Sequence, residues 1–387
     1  MPYFDHNATT PLAPEARKVW LEVADGAWEN PSSPYRAAAR VRNRLEDCRA
    51  RLARLLRCDA DEIVFFSGAT EANNSVLAYF AGRRDADDGV LLSAVEHPCV
   101  REAAVHHFGA RARIHEVDSA GRVVPDAIAA AIRERRPALV TVMAANNETG
   151  VLQPVGEIAE ICRRRSVAFH CDAAQWVGKL PARELPAWGF LSGSAHKFGG
   201  PKGVGFLRAP AGFNAFHGQL GGEQEKGKRA GTENPPAVAA MLAALEAREG
   251  AGLDHLTERA KWRDAFEAEL MRNVPGVKVA GGEAERLWNT SCLILPRHAN
   301  HRWVMKLDRE GFAVSTGSAC STGDEAPSRV LSAMGFAPDE ARCAVRVSSG
   351  PETPEEAWQS LAAAFVRIYR NWEDDDSSSS LTDVVSI

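Results

Sequence analysis

The chain has 387 residues, long enough for two domains or for one large domain with an appendage. Hydrophobic residues make up 45% and charged residues 25%, the balance of a soluble globular protein, and a net charge of -5 leaves no nucleic-acid footprint. No apolar run approaches the ~18 residues of a membrane helix, and the eight cysteines are scattered without a C-x-x-C pair, which speaks against a disulfide framework and a zinc site.

The start, "MPYFDHNATT", has neither the basic opening nor the long apolar core of a secretory signal. Reduced thiols and a cytoplasmic setting are therefore expected. In "RVRNRLEDCRARLARLLR" arginines alternate with apolar residues at helical spacing, the pattern of a solvated helix face rather than an RNA-binding stripe. Between residues 60 and 210 short apolar runs alternate with helix-length segments. The runs are "EIVFFS", "GVLLSAV", "ALVTVMAA", "VAFHCDAA", "GFLSGSA" and "GVGFLR". This rhythm predicts an α/β domain with a largely parallel central sheet covered by helices on both faces. Residues 236–273 read as helix apart from a glycine-containing break, and lead into a smaller α+β domain with strands at "TSCLILP", "GFAVST" and "AVRVSS". The expected division is a large domain over 12–255, a small domain made of 1–11 and 256–372, and an acidic, serine-rich disordered tail over 373–387.

Ligands of open α/β sheets sit beyond the carboxyl ends of the strands. The polar residues there are His97, the pair Asn146 and Asn147, Asp172 with Gln175 three positions on, and Ser194, His196 and Lys197. "EIVFFSGATEANN" adds a Gly68-Ala69-Thr70 turn that opens a helix. Each has an ordinary explanation alone: a hydrogen-bonded histidine, turn asparagines, a helix-capping aspartate, a solvated lysine. Together they make one chemical sense, a pyridoxal phosphate site. A lysine takes the aldehyde, an acid pairs with the ring nitrogen, and a helix N-terminus with small residues and a hydroxyl takes the phosphate. Lys202 is the rival lysine; Lys197 is better placed, directly after the strand and beside His196.

"STGSACSTG", Ser315 to Gly323, surrounds Cys320 with small uncharged residues, which suits a thiol presented on a mobile loop. Cys162, Cys171, Cys292 and Cys343 lie in apolar runs or on helix faces and read as small buried hydrophobes.

With "NPSS", "SGATEANN", "EHPCV", "NNETGVLQP", "DAAQWVGK", "SAHKFGGPKG", "KRAGTEN", "STGSACSTG" and "VRVSSG" in this order, the sequence resembles the NifS/IscS-type cysteine desulfurases. These belong to the class V aminotransferase group of fold-type I pyridoxal-phosphate enzymes, and the resemblance runs to about residue 370. It implies Lys197 as the Schiff-base lysine, Asp172 at the pyridine nitrogen, His97 stacked on the ring and Gln175 at the ring hydroxyl. Ala69, Thr70, Ser194 and His196 fall at the phosphate. Thr232 resembles a phosphate ligand given by the neighbouring subunit of a homodimer. Asn147 and Arg346 match the residues that hold the substrate carboxylate, with Asn30 close by, and Cys320 matches the nucleophile. The implied reaction converts L-cysteine to L-alanine and leaves a persulfide on Cys320 for a sulfur-acceptor protein, such as an iron–sulfur scaffold or a thiolation protein. No direct contact with nucleic acid or membrane is expected. The sequence departs from the family at Ala195, where glycine is frequent, at Pro34-Tyr35-Arg36, and at Ala326, where an acid is frequent. The alternatives are another class V enzyme, such as an aminotransferase or a selenocysteine lyase, which needs no loop thiol, and a non-catalytic sulfur-assembly scaffold.

Overall fold

The computed structural model describes residues 2–83, 89–250, 254–317 and 327–382. They form two compact units, one of Thr9–Asn147 and Val151–Leu253, the other of Met1–Ala8, Glu148–Gly150 and Asp254–Ile387.

The larger unit runs α1 (Pro14–Gly26), α2 (Arg36–Leu56), β1 (Ile63–Phe66), α3 (Ala69–Ala81), β2 (Val90–Ser93), α4 (Pro98–Phe108) and β3 (Ala112–His115). It continues with α5 (Pro125–Glu134), β4 (Leu139–Thr141), α6 (Val155–Arg164), β5 (Ala168–Asp172), β6 (Phe190–Ser194), β7 (Gly205–Arg208) and α7 (Pro235–Gly250). Proline opens α1, α4 and α5, where a missing N–H costs nothing. Val41, Leu45, Cys48, Leu52 and Leu56 line the buried side of α2. The arginines of that segment thus ride on a helix with one apolar face, as its periodicity requires.

Seven strands form one sheet in the order β1-β7-β6-β5-β4-β2-β3. Only β7 runs antiparallel to its neighbours. Strands β1, β2, β4, β6 and β7 are buried along their whole length, which is why they read as continuous apolar runs. Strand β3 escapes that reading: "ARIH" alternates polar and apolar residues and is only half-buried, because it forms the sheet's edge. Helices α3 and α4 close one face, packing Val76, Leu77, Phe80, Val100 and Phe108 with Val64, Leu92 and Phe190. At ~25 cal/mol per Å² of apolar surface, such side chains are each worth about 1.5–3 kcal/mol.

The smaller unit holds α8 (Asp254–Asn273), β8 (Lys278–Val279), β9 (Thr290–Ile294), α9 (Asn300–Arg309), α10 (Arg329–Ala333), α11 (Pro338–Ala341), β10 (Ala344–Ser348) and α12 (Glu355–Thr382). Its sheet is antiparallel, in the order β10-β9-β8. Phe4, Phe266, Trp303, Trp358 and Phe365 fill its core. "GFAVST" does not join that sheet as a strand. It makes single bridges, Ala313 to Tyr3 and Ser315 to Arg346. Helix α12 continues to Thr382, into the segment read as a disordered tail, because a helix anchored by packed turns propagates at little cost. The rest of that tail, 383–387, lies outside the described residues. Among the described residues no helix is long and apolar enough to cross a membrane.

Candidate active site

Strands β2, β4, β5 and β6 are parallel, so their carboxyl ends share one edge of the sheet. Asp172 is the last residue of β5 and 5% exposed. Its Oδ1 accepts the Ala174 N–H at 2.9 Å, and its Oδ2 accepts the Asn73 amide at 2.8 Å. Both donors are neutral. A buried carboxylate held this way keeps its charge available to a cationic partner.

His97 caps α4. Its Nδ1 accepts the Cys99 N–H at 3.2 Å and lies 3.0 Å from the Cys99 sulfur. The proton of the neutral imidazole therefore sits on Nε2. Burial holds the His97 pKa below its ordinary value; Asp172 opposes the shift and the Lys197 ammonium adds to it. Those influences place Asp172 and Lys197 within electrostatic reach of the same ring. Lys197 itself closes a short turn after β6.

The opposite end of the cluster is the start of α3. A Cβ on Gly68 would sit 3.3 Å from the Ser194 hydroxyl, and one on Gly205 would come within 2.4 Å of the Gly193 carbonyl oxygen and 2.7 Å of the Gly68 Cα. These glycines let β6, β7 and the first turn of α3 approach around Ser194. The free N–H groups of that turn, beginning at Ala69 and Thr70, and the helix dipole favour an anion there. His196 pairs through Nδ1 with the Thr9 hydroxyl at 3.2 Å. Burial first, then Lys197 and Lys202, push its pKa down to about 4, so it is neutral near pH 7. Ala69 and Asn73 are four residues apart, about 6 Å along the helix. The helix start that favours an anion and the amide donor to Asp172 are thus carried by one helix, one turn apart. The donor set fits pyridoxal phosphate.

Gln175 is buried, and its Oε1 accepts a hydrogen bond from the buried Lys179 ammonium. Of the two asparagines after β4, Asn146 is structural, donating to the Val95 carbonyl at 3.1 Å, whereas Asn147 is half-buried. Asn30 accepts the Ser32 N–H at 2.9 Å, closing its own turn. Thr232 is exposed on a loop tied down by Arg229, whose guanidinium meets Glu71 at 2.9 Å. Asn73, Thr141, His170 and Lys179 went unread in the sequence as members of the site. The available signal was spacing: His170 precedes Asp172 by two and shares its face of β5.

Arg346 belongs to the smaller unit. It stands in the middle of β10, 2% exposed, donating to the Asp5 carboxylate at 2.6 Å and the Gly317 carbonyl at 3.1 Å. Nearby Glu148 is buried; burial raises its pKa, opposed by the Ser328 hydroxyl, 2.5 Å away, and by Arg346. Cys320 lies outside the described residues.

The aminotransferase class-V family profile matches residues 2–361. The chain belongs to that family. Within it the chain falls with the NifS/IscS-type cysteine desulfurases. A cysteine desulfurase from Cereibacter sphaeroides is 40% identical over 361 residues, spanning 89% of this chain and 90% of that one. The cysteine desulfurase IscS of Dictyoglomus turgidum is 35% identical, spanning 92% and 91%. The crystal structure of a NifS-like protein from Rickettsia africae superposes with a TM-score of 0.85 at 27% identity, covering 96% of this chain and 99% of that one.

Proposed function

We propose that this family member removes sulfur from L-cysteine, releases L-alanine, and stores the sulfur as a persulfide on Cys320. The observation that supports this best is the pairing of a buried Asp172, held by neutral donors, with the start of the helix that carries one of those donors, and with Lys197 and His97 in electrostatic reach. When bound, pyridoxal 5'-phosphate supplies an electron sink for the substrate's Cα. Lys197 would hold the aldehyde, and its amine would serve as the base for the Cα proton. Asp172 would hold the ring nitrogen, and Gln175 would donate to the ring oxygen. Ala69, Thr70, Ser194 and His196 would hold the phosphate, joined by Thr232 from a second copy of the chain in a homodimer. Arg346 grips the substrate carboxylate with its two-pronged guanidinium, assisted by Asn147 and Asn30.

Cys320 then attacks the substrate sulfur as thiolate. The carbon–sulfur bond breaks, a sulfur–sulfur bond forms, and the electron pair stays with the three-carbon skeleton, which is protonated. His97, neutral with its proton on Nε2, is placed to give and take protons at this step. A thiol of an acceptor protein, either an iron–sulfur scaffold or a thiolation protein, takes the sulfur from Cys320 in the cytoplasm.

The first test is alanine release from L-cysteine by the purified yellow protein, with and without reductant, beside Cys320→Ala. We expect alanine and sulfide in equal amounts from the wild type under reductant. The variant keeps its colour and loses both products. Undiminished desulfuration by Cys320→Ala would remove the persulfide from the scheme.

A further inference from the structure

Thr141 and His170 are direct partners across β4 and β5. His170 and Asp172, two apart, share the same face of β5, and α3 brings Asn73 to that face. Thr141, His170 and Asn73 are completely buried. The Thr141 hydroxyl lies 2.7 Å from His170 Nδ1, His170 Nε2 lies 3.1 Å from Asn73 Oδ1, and Asn73 Nδ2 lies 2.8 Å from Asp172 Oδ2.

The direction of every proton follows from one end. An ionised carboxylate only accepts, so Asn73 must turn its NH₂ to Asp172 and its carbonyl to His170. His170 must then donate from Nε2. Burial pushes its pKa down to about 4, so the ring is neutral and Nδ1 carries no proton. Thr141 must donate to Nδ1. All three donors point the same way, and each polarises the next. Other groups acting on Asp172 are His97 and Cys99 from α4 and its cap, Glu96 just before it, and Cys171 of β5.

We propose that Thr141, His170 and Asn73 are positioning residues: a one-way hydrogen-bond chain that orients the Asp172 carboxylate, and so governs how firmly the site holds a protonated ring nitrogen. The proposal rests on the pyridoxal-phosphate reading above. Asn73 also lies one turn into the helix whose start is the phosphate site, so a single helix serves both ends of the cofactor.

The test compares Thr141→Val, which keeps the side chain's shape but loses the hydroxyl, with Thr141→Ser, which keeps the hydroxyl but loses a methyl group. Asn73→Leu removes the central amide. The readouts are the pH titration of the yellow protein's cofactor absorbance, the rate of cofactor loss on dilution, and the thermal midpoint. We expect Thr141→Ser to match wild type in the first two. In Thr141→Val the absorbance titration moves to higher pH and cofactor loss speeds up about threefold. Asn73→Leu, where folded, gives the same changes with about tenfold faster loss. If Thr141→Ser is as impaired as Thr141→Val, the site needs the packing rather than the proton, and the chain is overturned. It is equally overturned if both titrate as wild type. A wild-type protein that takes up no pyridoxal phosphate would instead sink the functional reading beneath it.

Discussion

In the larger unit the buried anion Asp172 is met by two neutral donors, whereas in the smaller unit the buried cation Arg346 is met by a carboxylate, Asp5, at 2.6 Å. Both side chains are nearly inaccessible. Burying a charge against neutral donors sacrifices hydration without a Coulombic return, so the Asp172 arrangement makes most sense when a cation arrives from outside the chain. Arg346 needs no visitor to be tolerated. Its guanidinium has donors enough to meet Asp5, the Gly317 carbonyl and a substrate carboxylate. The two sites therefore call for opposite experiments, one that removes a charge and one that keeps the charge but removes the fork.

The largest effect is expected at Asp172. Asp172→Asn has nearly the same shape but cannot balance a ring cation, and its own amide would face the Asn73 amide. Turnover should fall a hundredfold or more, the scale lost when one electrostatic group is removed from an active site. Cofactor absorbance should titrate abnormally in the same protein. Wild-type alanine production from Asp172→Asn would break the contrast drawn above. A smaller effect is expected from Arg346→Lys, which retains a positive charge beside Asp5. The two-pronged grip on carboxylate is lost, so KM for L-cysteine should rise roughly tenfold to a hundredfold with kcat nearly unchanged. If the thermal midpoint falls while KM stays put, Arg346 serves only Asp5 and Gly317.

Much of this was legible because the parallel sheet makes each strand a continuous apolar run ending in one polar residue, as at Asp172 and Ser194. Strand β3 was not, since an edge strand carries half-exposed Arg113 and His115 among its four residues. The second ring of the site was also hidden. Asn73 sits in a helix, His170 in mid-strand and Thr141 at the end of another strand; only strand register and the lie of α3 join them. Lys179 read as part of "DAAQWVGK", and its partner Gln175 is only four residues away, but the burial of the pair is set by what packs over that turn.

The smallest and most specific effect concerns two buried glutamates, one in each unit. Glu148 has the Ser328 hydroxyl and Arg346 to offset its burial. Glu96 has less: Oε1 accepts the Met143 N–H at 2.7 Å, but Oε2 is buried without a hydrogen-bond partner among the described residues, and Asp172 adds like charge. Burial pushes the Glu96 pKa up to about 8 from an ordinary 4.5. A carboxyl whose folded pKa is raised contributes its full stability below pH 4.5 and loses it as pH climbs through about 8. Glu96→Gln cannot ionise, so the wild type should lose stability relative to it over that window, by on the order of 4 kcal/mol. Denaturant midpoints of both proteins at about pH 5 and about pH 8.5 measure this difference. Glu148→Gln, measured the same way, should change less with pH, because the charge it removes has a cation and a hydroxyl to meet it. Equal pH responses from the two substitutions would mean that the units handle buried charge alike, and the contrast between Asp172 and Arg346 would then have to rest on their ligands alone.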